Sequence, residues 1–333
     1  MRSTTILAGL LGLAQWVSGT PTPTVDEPLE ARAIVKRATI TDTPTVGYAT
    51  TNGGTTGGKG GTVTTVSTLA QFTAAVNEKD TTARVVVVSG TITGAQQIRI
   101  GSNKTVIGLP GAKFVGISLF IWKQANVIVR NIISQNVLAS TGDALTIQKS
   151  TNVWVDHCEF YSQLVSDKDY YDGLVDVTHA SEWVTISNTY FHDHWKTSLV
   201  GHSDNNAAED TGHLHVTYAN NYWLNIGSRA PSLRFGTGHI FNSYYKNVNT
   251  AIDPRDGAQV LVQSNVFVNV TEPLASLYSD DVGYAVATDN DFGGASNEAP
   301  AGTLTTVPYS YTLLGSKNVV AAVVGVAGAT LKF

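Results

Sequence analysis

One short motif keeps returning along the chain, and that recurrence limits the fold more than any other feature. Six segments align: NVIVRNII from Asn126, NVWVDHCEF from Asn152, WVTISNTYF from Trp183, HVTYANNYW from His215, GHIFNSYYKN from Gly238 and QVLVQSNVF from Gln259. With Val127, Val153, Val184, Val216, Gly238 and Val260 as equivalent positions, the spacings are 26, 31, 32, 22 and 22 residues. A base period near 22 with insertions is repeat behaviour, and a unit this short cannot bury a core alone, so neighbours must stack. β-Branched segments with little helical sequence between them predict an all-β chain, a single parallel β-helix. RVVVVSGTI from Arg84 and KTVIGL from Lys104 add two turns upstream. Leu69, Phe72 and Val76 have helical spacing, so residues 68–78 are expected to form a helix capping the N-terminal end.

Four residues after each anchor stand Asn131, His157, Asn188, Asn220, Asn242 and Ser264, expected to form hydrogen-bonded ladders at the bends. Phe160, Phe191, Trp223, Tyr245 and Phe267 follow at a fixed offset and should stack inside. The run GGKGG from Gly57 lacks the spacing and the Lys-Ser/Thr of a phosphate loop and is expected to be a flexible loop.

The N-terminus has the composition of processing sequence. Residues 1–19 have a basic start, an apolar run and small residues, the pattern of a signal peptide. Residues 20–37 follow as a propeptide ending in the dibasic pair Lys36-Arg37, leaving a mature domain over 38–333. A secreted, extracellular protein is therefore expected, with Asn103 and Asn269 as glycosylation candidates in Asn-x-Thr triplets. The sole cysteine, Cys158, excludes an internal disulfide, so packing and backbone pairing must hold the fold. The formal net charge of −5, with basic residues scattered, argues against a nucleic-acid partner. Beyond the N-terminus no apolar run is long enough to span a membrane. A monomer is expected.

Repeat phase shows which charged residues meet. Asp143 lies 10 residues before Val153, and Asp172 and Asp176 lie 12 and 8 before Val184. Lys196 is 12 after Val184 and Arg229 is 13 after Val216. In a 22-residue turn these five fall on nearly one side of adjacent turns. The extra residues of the long turns, near 162–171 and 202–212, form loops flanking that strip. Three aspartates form either a solvated acidic face or a site for a hard cation, and oxygen ligands favour calcium. Lys196, Arg229 and Arg234 beside them suit an extended anionic substrate such as a polyuronic acid. The triplet His192-Asp193-His194 lacks a third ligand at zinc spacing. Cys158 next to His157 reads as a buried apolar cysteine rather than a nucleophile.

The segments VWVDHCEF (153–160), DGLVDVTHAS (172–181), HDHWKTSLVGHSD (192–204) and RAPSLR (229–234) resemble the extracellular pectate lyases of the pectate/pectin lyase superfamily, family 1 of the polysaccharide lyases, with a fungal cast. The resemblance runs from about Gly47 to Phe333. It implies a right-handed parallel β-helix, calcium dependence and eliminative cleavage of polygalacturonate, the pectate of plant cell walls. By the resemblance, Asp143, Asp172 and Asp176 match metal-binding positions, Arg229 the catalytic base, and Lys196 and Arg234 substrate-binding residues. Thr141 stands where many relatives have a further acidic residue. The resemblance also implies a cis bond before Pro231. Alternatives are a pectin lyase, an inverting polygalacturonase with paired carboxylates, and a non-catalytic polysaccharide binder. Retention of the three aspartates and of RAPSLR argues against the first two.

Overall fold

A computed structural model describes residues 38–333; the expected signal peptide and propeptide lie outside the described residues. The chain winds into a parallel β-solenoid. Ten strands form the first sheet, from Thr62–Val66 through Ala125–Arg130, Thr151–Asp156, Glu182–Ser187 and His215–Ala219 to Tyr284–Thr288. Within it Val127, Val153, Val184, Val216, Gly238 and Val260 pair directly across neighbouring strands, so the six anchors hold the expected register.

A second sheet runs through Glu159–Tyr161, Tyr190–Lys196, Tyr222–Ser228 and Val266–Leu274, and a third through Leu145–Gln148, Val175–Thr178, Leu199–Val200 and Ser232–Arg234. The long strand Tyr244–Arg255 bends across the corner and pairs with both. The charged residues singled out by repeat phase gather at that corner.

Inside, Val, Ile and Leu from all three sheets make one continuous core. The aromatic column stacks as expected: Phe160–Phe191, Phe191–Trp223, Trp223–Tyr245 and Tyr245–Phe267 have ring centroids 5.7, 4.2, 5.8 and 4.5 Å apart, all within 16° of parallel. Identical registers place one ring above the next at the strand spacing, offset enough to satisfy the ring quadrupoles. A second column, Tyr190, Tyr222 and Tyr244, stacks one residue earlier on the outer face.

The N-terminal helix is Leu69–Ala75, with Thr68 accepting the Gln71 N–H at its start. Its Phe72 lies 4.7 Å from the Phe114 ring, covering the end of the core.

Two expectations need correction. The polar ladder is not at the fourth position after each anchor. Those residues, Asn131, His157, Asn188, Asn220, Asn242 and Ser264, share left-handed backbone with φ between 48° and 57°, which Asn tolerates better than most residues. That conformation turns their side chains away from the core. Asn131 and Asn242 there accept the Leu331 and Leu314 N–H groups of the returning C-terminal segment, and only Asn188 and Asn220 bond as a rung. The buried ladder runs one residue later, through Thr189, Asn221, Ser243, Asn265 and Asn290, each side chain after the first accepting the backbone N–H of the turn before. The GGKGG segment is not a free loop either. The Gly58 N–H donates to Thr105 Oγ1 at 2.9 Å, and a Cβ on Gly58 would stand 1.9 Å from the Arg84 carbonyl oxygen, so only glycine permits this contact.

Candidate active site

Register brings the three aspartates to one rim. Thr146 and Asp176 are direct partners on the third sheet, and Asp143 lies just upstream of Thr146. The Asp143 carboxylate accepts from Gly173 N–H at 2.9 Å and from the Thr146 hydroxyl at 2.7 Å. Asp176 accepts the Leu199 N–H at 3.0 Å. A Cβ on Gly173 would lie 2.7 Å from Asp176 Oδ1 and 2.8 Å from Asp143 Oδ1, so both carboxylates crowd a space that a side chain would fill.

Burial, with the adjacent Asp143 charge adding to it, pushes Asp176 well above the usual carboxylate range. Burial also raises Asp143 against the Thr146 hydrogen bond, with Asp172 contributing in the same direction. Two desolvated anionic groups with too few donors form a set that a hard cation would relieve. Asp172 stands apart from this pair, half exposed and 3.5 Å from Lys196 Nζ. Among the described residues no three His, Cys, Asp or Glu side chains converge tightly enough to hold a metal by themselves. The protein thus offers two close carboxylates, with the third more exposed and beside Lys196.

Beside them opens a cleft of about 510 Å³ whose walls include Trp195, Lys196, Arg229, Asp253, Arg255 and Tyr278. Lys196 ends the strand Tyr190–Lys196 and pairs in register with Ser228, the residue before Arg229. Arg229 has a left-handed backbone, φ 61°, and is followed by a cis Ala230–Pro231 bond, as expected.

The basic residues differ in how they are held. Lys196 Nζ donates to Asp169 at 2.8 Å. Arg234 bonds through Nε to Asp204, lies 3.2 Å from Asp256, and donates Nη1 to the Gly201 carbonyl. Arg255 lies 3.2 Å from Asp253 and donates to the Ser232 hydroxyl. Burial pushes Asp253 up and Arg255 down, each against the pull of its partner. Of these four, Arg229 alone has no ion pair or side-chain hydrogen bond among the described residues. It lines the cleft as an unengaged donor.

The structure therefore brings Asp143, Asp176, Asp172, Lys196 and Arg229 to one corner. Arg234 is nearly buried behind it and does not line the cleft. Arg255, Asp253 and Tyr278 do line it, and repeat phase had not pointed to them. A signal for Arg255 existed, since it follows Arg234 by 21 residues and pairs with it across the third sheet. The loop over 162–171 adds Lys168 and Asp169, held in place where Trp195 Nε1 donates to the Val165 carbonyl at 2.7 Å.

The histidines have structural partners. His192 stacks between Tyr161 and Tyr190. His194, pushed down by burial to about 4, bridges the Ser162 hydroxyl and the Asp172 carbonyl. Cys158 is fully buried, and that burial pushes its thiol up to about 12, so it has no thiolate character.

A family model described as pectate lyase matches residues 2–331. The chain is 60% identical over 333 residues to a probable pectate lyase A of Aspergillus fumigatus, covering 99% of each chain. It is 55% identical over 315 residues to pectate lyase B of Colletotrichum gloeosporioides, covering 94% of each. Among solved structures it aligns at TM-score 0.80 and 33% identity with a pectate lyase of Bacillus sp. N165 in complex with trigalacturonate, covering 86% of this chain and 99% of that one. Fold and relatives agree: the chain belongs to the pectate lyase family of polysaccharide-cleaving lyases.

Proposed function

We propose that the enzyme cleaves polygalacturonate by calcium-dependent β-elimination, with Arg229 as the base. One observation carries this reading: Arg229 lines the cleft with no ion pair or side-chain hydrogen bond among the described residues, and its charge acts on both buried carboxylates, Asp143 and Asp176. The trigalacturonate in the Bacillus relative supports an oligogalacturonate as the occupant of the cleft.

Asp143 and Asp176 would hold the cation, with Asp172 completing the set from the cleft side. When bound, calcium would neutralise the uronate carboxylate and so acidify the adjacent carbon-five proton. Lys196 orients that carboxylate. Arg234, which does not line the cleft and has Nε and Nη1 already committed, would reach substrate from beside it through Nη2. Arg229 would take the proton from carbon five after giving one of its own to solvent. The electrons of that C–H bond form the double bond between carbons four and five, and the bond from carbon four to the glycosidic oxygen breaks. That oxygen leaves with the electron pair and is protonated by solvent.

The protein acts outside the cell as a monomer, after removal of residues 1–37, with sugar carried on an Asn-x-Thr triplet. The test is ultraviolet absorbance of unsaturated products. Absorbance should grow with polygalacturonate and calcium, stop with chelator, and be weak with methyl-esterified pectin. Saturated products, or equal activity in chelator, would overturn the proposal.

A further inference from the structure

We propose that Asn269 carries an N-linked glycan that covers an open sheet edge, and that Asn103 carries none. The proposal rests on the secretory reading above. Asn269 and Thr271 are both exposed on the strand Val266–Leu274. That strand pairs along its length only with Tyr244–Arg255. On its other side, among the described residues, it is bridged near its ends, Val266 to Asp291 and Leu274 to Asn297, and Gly293 lies against the Phe267 carbonyl. Between them residues 268–272 have no strand partner on that side among the described residues, and Val268 is 41% exposed there. An open edge with an apolar side chain is a template for pairing with another chain. Asn269 stands in the middle of it.

The side-chain pattern leaves room for the modification. Asn225 Nδ2 donates to Asp193 at 2.8 Å, Asn247 Nδ2 to Asn225 at 3.0 Å, and Asn269 Nδ2 to Asn247 at 2.9 Å. All four residues have left-handed backbone, φ 50–56°, which sets them in one outward row. Asn269 ends that row and gives it a single N–H. An amide linked to a sugar retains one N–H, so ladder and glycan coexist.

Asn103 is placed differently. The threonine of its triplet, Thr105, is buried and accepts the Gly58 N–H, and the middle residue, Lys104, is fully buried with Nζ donating to three carbonyls. The Asn103 amide is itself committed at both ends, to the Thr81 carbonyl and from Asn126, which also clamps Thr56 and Gly57.

Full-length protein secreted from a eukaryotic host would be digested and its glycopeptides read by mass spectrometry, alongside Thr271→Ala and Asn103→Gln. Thr271→Ala keeps the Asn269 amide and its ladder but removes the acceptor triplet. The expected result is a glycan at Asn269 only, a mass lower by one glycan in Thr271→Ala, and no change in Asn103→Gln. Light scattering should then show the unglycosylated form gaining mass with concentration while the wild type stays monomeric. Native enzymatic removal of the glycan from folded wild type should do the same, independently of any folding defect in the variant. Secreted protein with a bare Asn269 overturns the modification. A deglycosylated form as monomeric as the wild type overturns the covering role. Retention inside the cell with both sites bare defeats the secretory reading together with this proposal.

Discussion

Asp156 and Asp176 are buried aspartates on successive turns of the solenoid, and their surroundings drive them in opposite directions. Asp156, on the first sheet, is surrounded by donors: Arg130 Nε at 2.8 Å, His157 Nδ1 at 2.7 Å, and Ser187 and Asn188 at 2.8 Å each. Burial would raise its carboxyl, but the His157 and Arg130 contacts outweigh burial and hold it below the usual value. Asp176, on the third sheet, has one backbone N–H and another carboxylate for company, so burial wins and its proton is held more tightly. Equal burial therefore says little about role. The count of donors separates a carboxylate that fastens the fold from one that awaits a cation.

The largest expected effect falls on the fastening site. Asp156→Ala leaves the nearly buried Arg130 with Asp42 as its one carboxylate and takes the shared acceptor from His157, Ser187 and Asn188, which should cost about 3 kcal/mol of stability in a denaturant titration. A loss within experimental error would mean that Asp156 is no more essential to the fold than its counterpart. Asp156 also sets an acid limit. With its folded pKa depressed, its contribution is present above the unfolded value and is lost as pH falls through the folded one.

Next comes the cleft. Arg229→Lys keeps a positive charge but loses the planar fork, and turnover should fall by about 100-fold or more, the usual scale for a positioned acid or base. Calorimetry should show oligogalacturonate and calcium still binding. Near-normal turnover would remove Arg229 from the role of base.

A smaller effect should come from Thr146→Val, which takes the hydroxyl donor from Asp143. That hydrogen bond lowers the Asp143 pKa, so without it the carboxyl holds its proton more tightly. Apparent calcium affinity should drop several-fold at acid pH, the difference closing as pH rises and the group ionises in both forms. An unchanged affinity at low pH would separate Asp143 from the cation.

How much of this was legible in the sequence differs between the two sites. Val127 through Val260 showed the register because β-branched anchors must face one core, and the inner aromatics followed from the same phase. The polar ladder was misplaced by one residue because Asn serves two purposes, bending the chain at Asn131 or Asn220 and bonding along the axis at Asn221 or Asn265. The phase of Asp143, Asp172 and Asp176 pointed to one strip, yet phase carries no information on depth. It did not show that Asp172 faces Lys196 while the other two crowd Gly173. Arg255 was missed because it ends a strand that turns a corner, beyond the segment used for alignment. The donors around Asp156 come from three different turns, and Arg130 is itself tied to the N-terminal segment at Asp42, which no local pattern announces.

Whether Asp176 awaits a cation is tested most directly by thermal unfolding of wild type and Asp176→Asn, in chelator and in calcium, across pH. In wild type without metal, the raised folded pKa means that this site's contribution to stability is full below the unfolded value of 3.8 and is lost as pH rises through the folded one. Asp176→Asn keeps an oxygen for Leu199 N–H and removes the charge. In chelator at about pH 7 it should therefore melt a few degrees higher than wild type, since about 1 kcal/mol moves the melting point of a large domain by roughly 2–4 °C. Calcium at about a hundredfold excess over its Kd should stabilise wild type by about 2.7 kcal/mol and leave the variant nearly unmoved. A variant that melts no higher than wild type in chelator and is stabilised equally by calcium would contradict a cation site at Asp176.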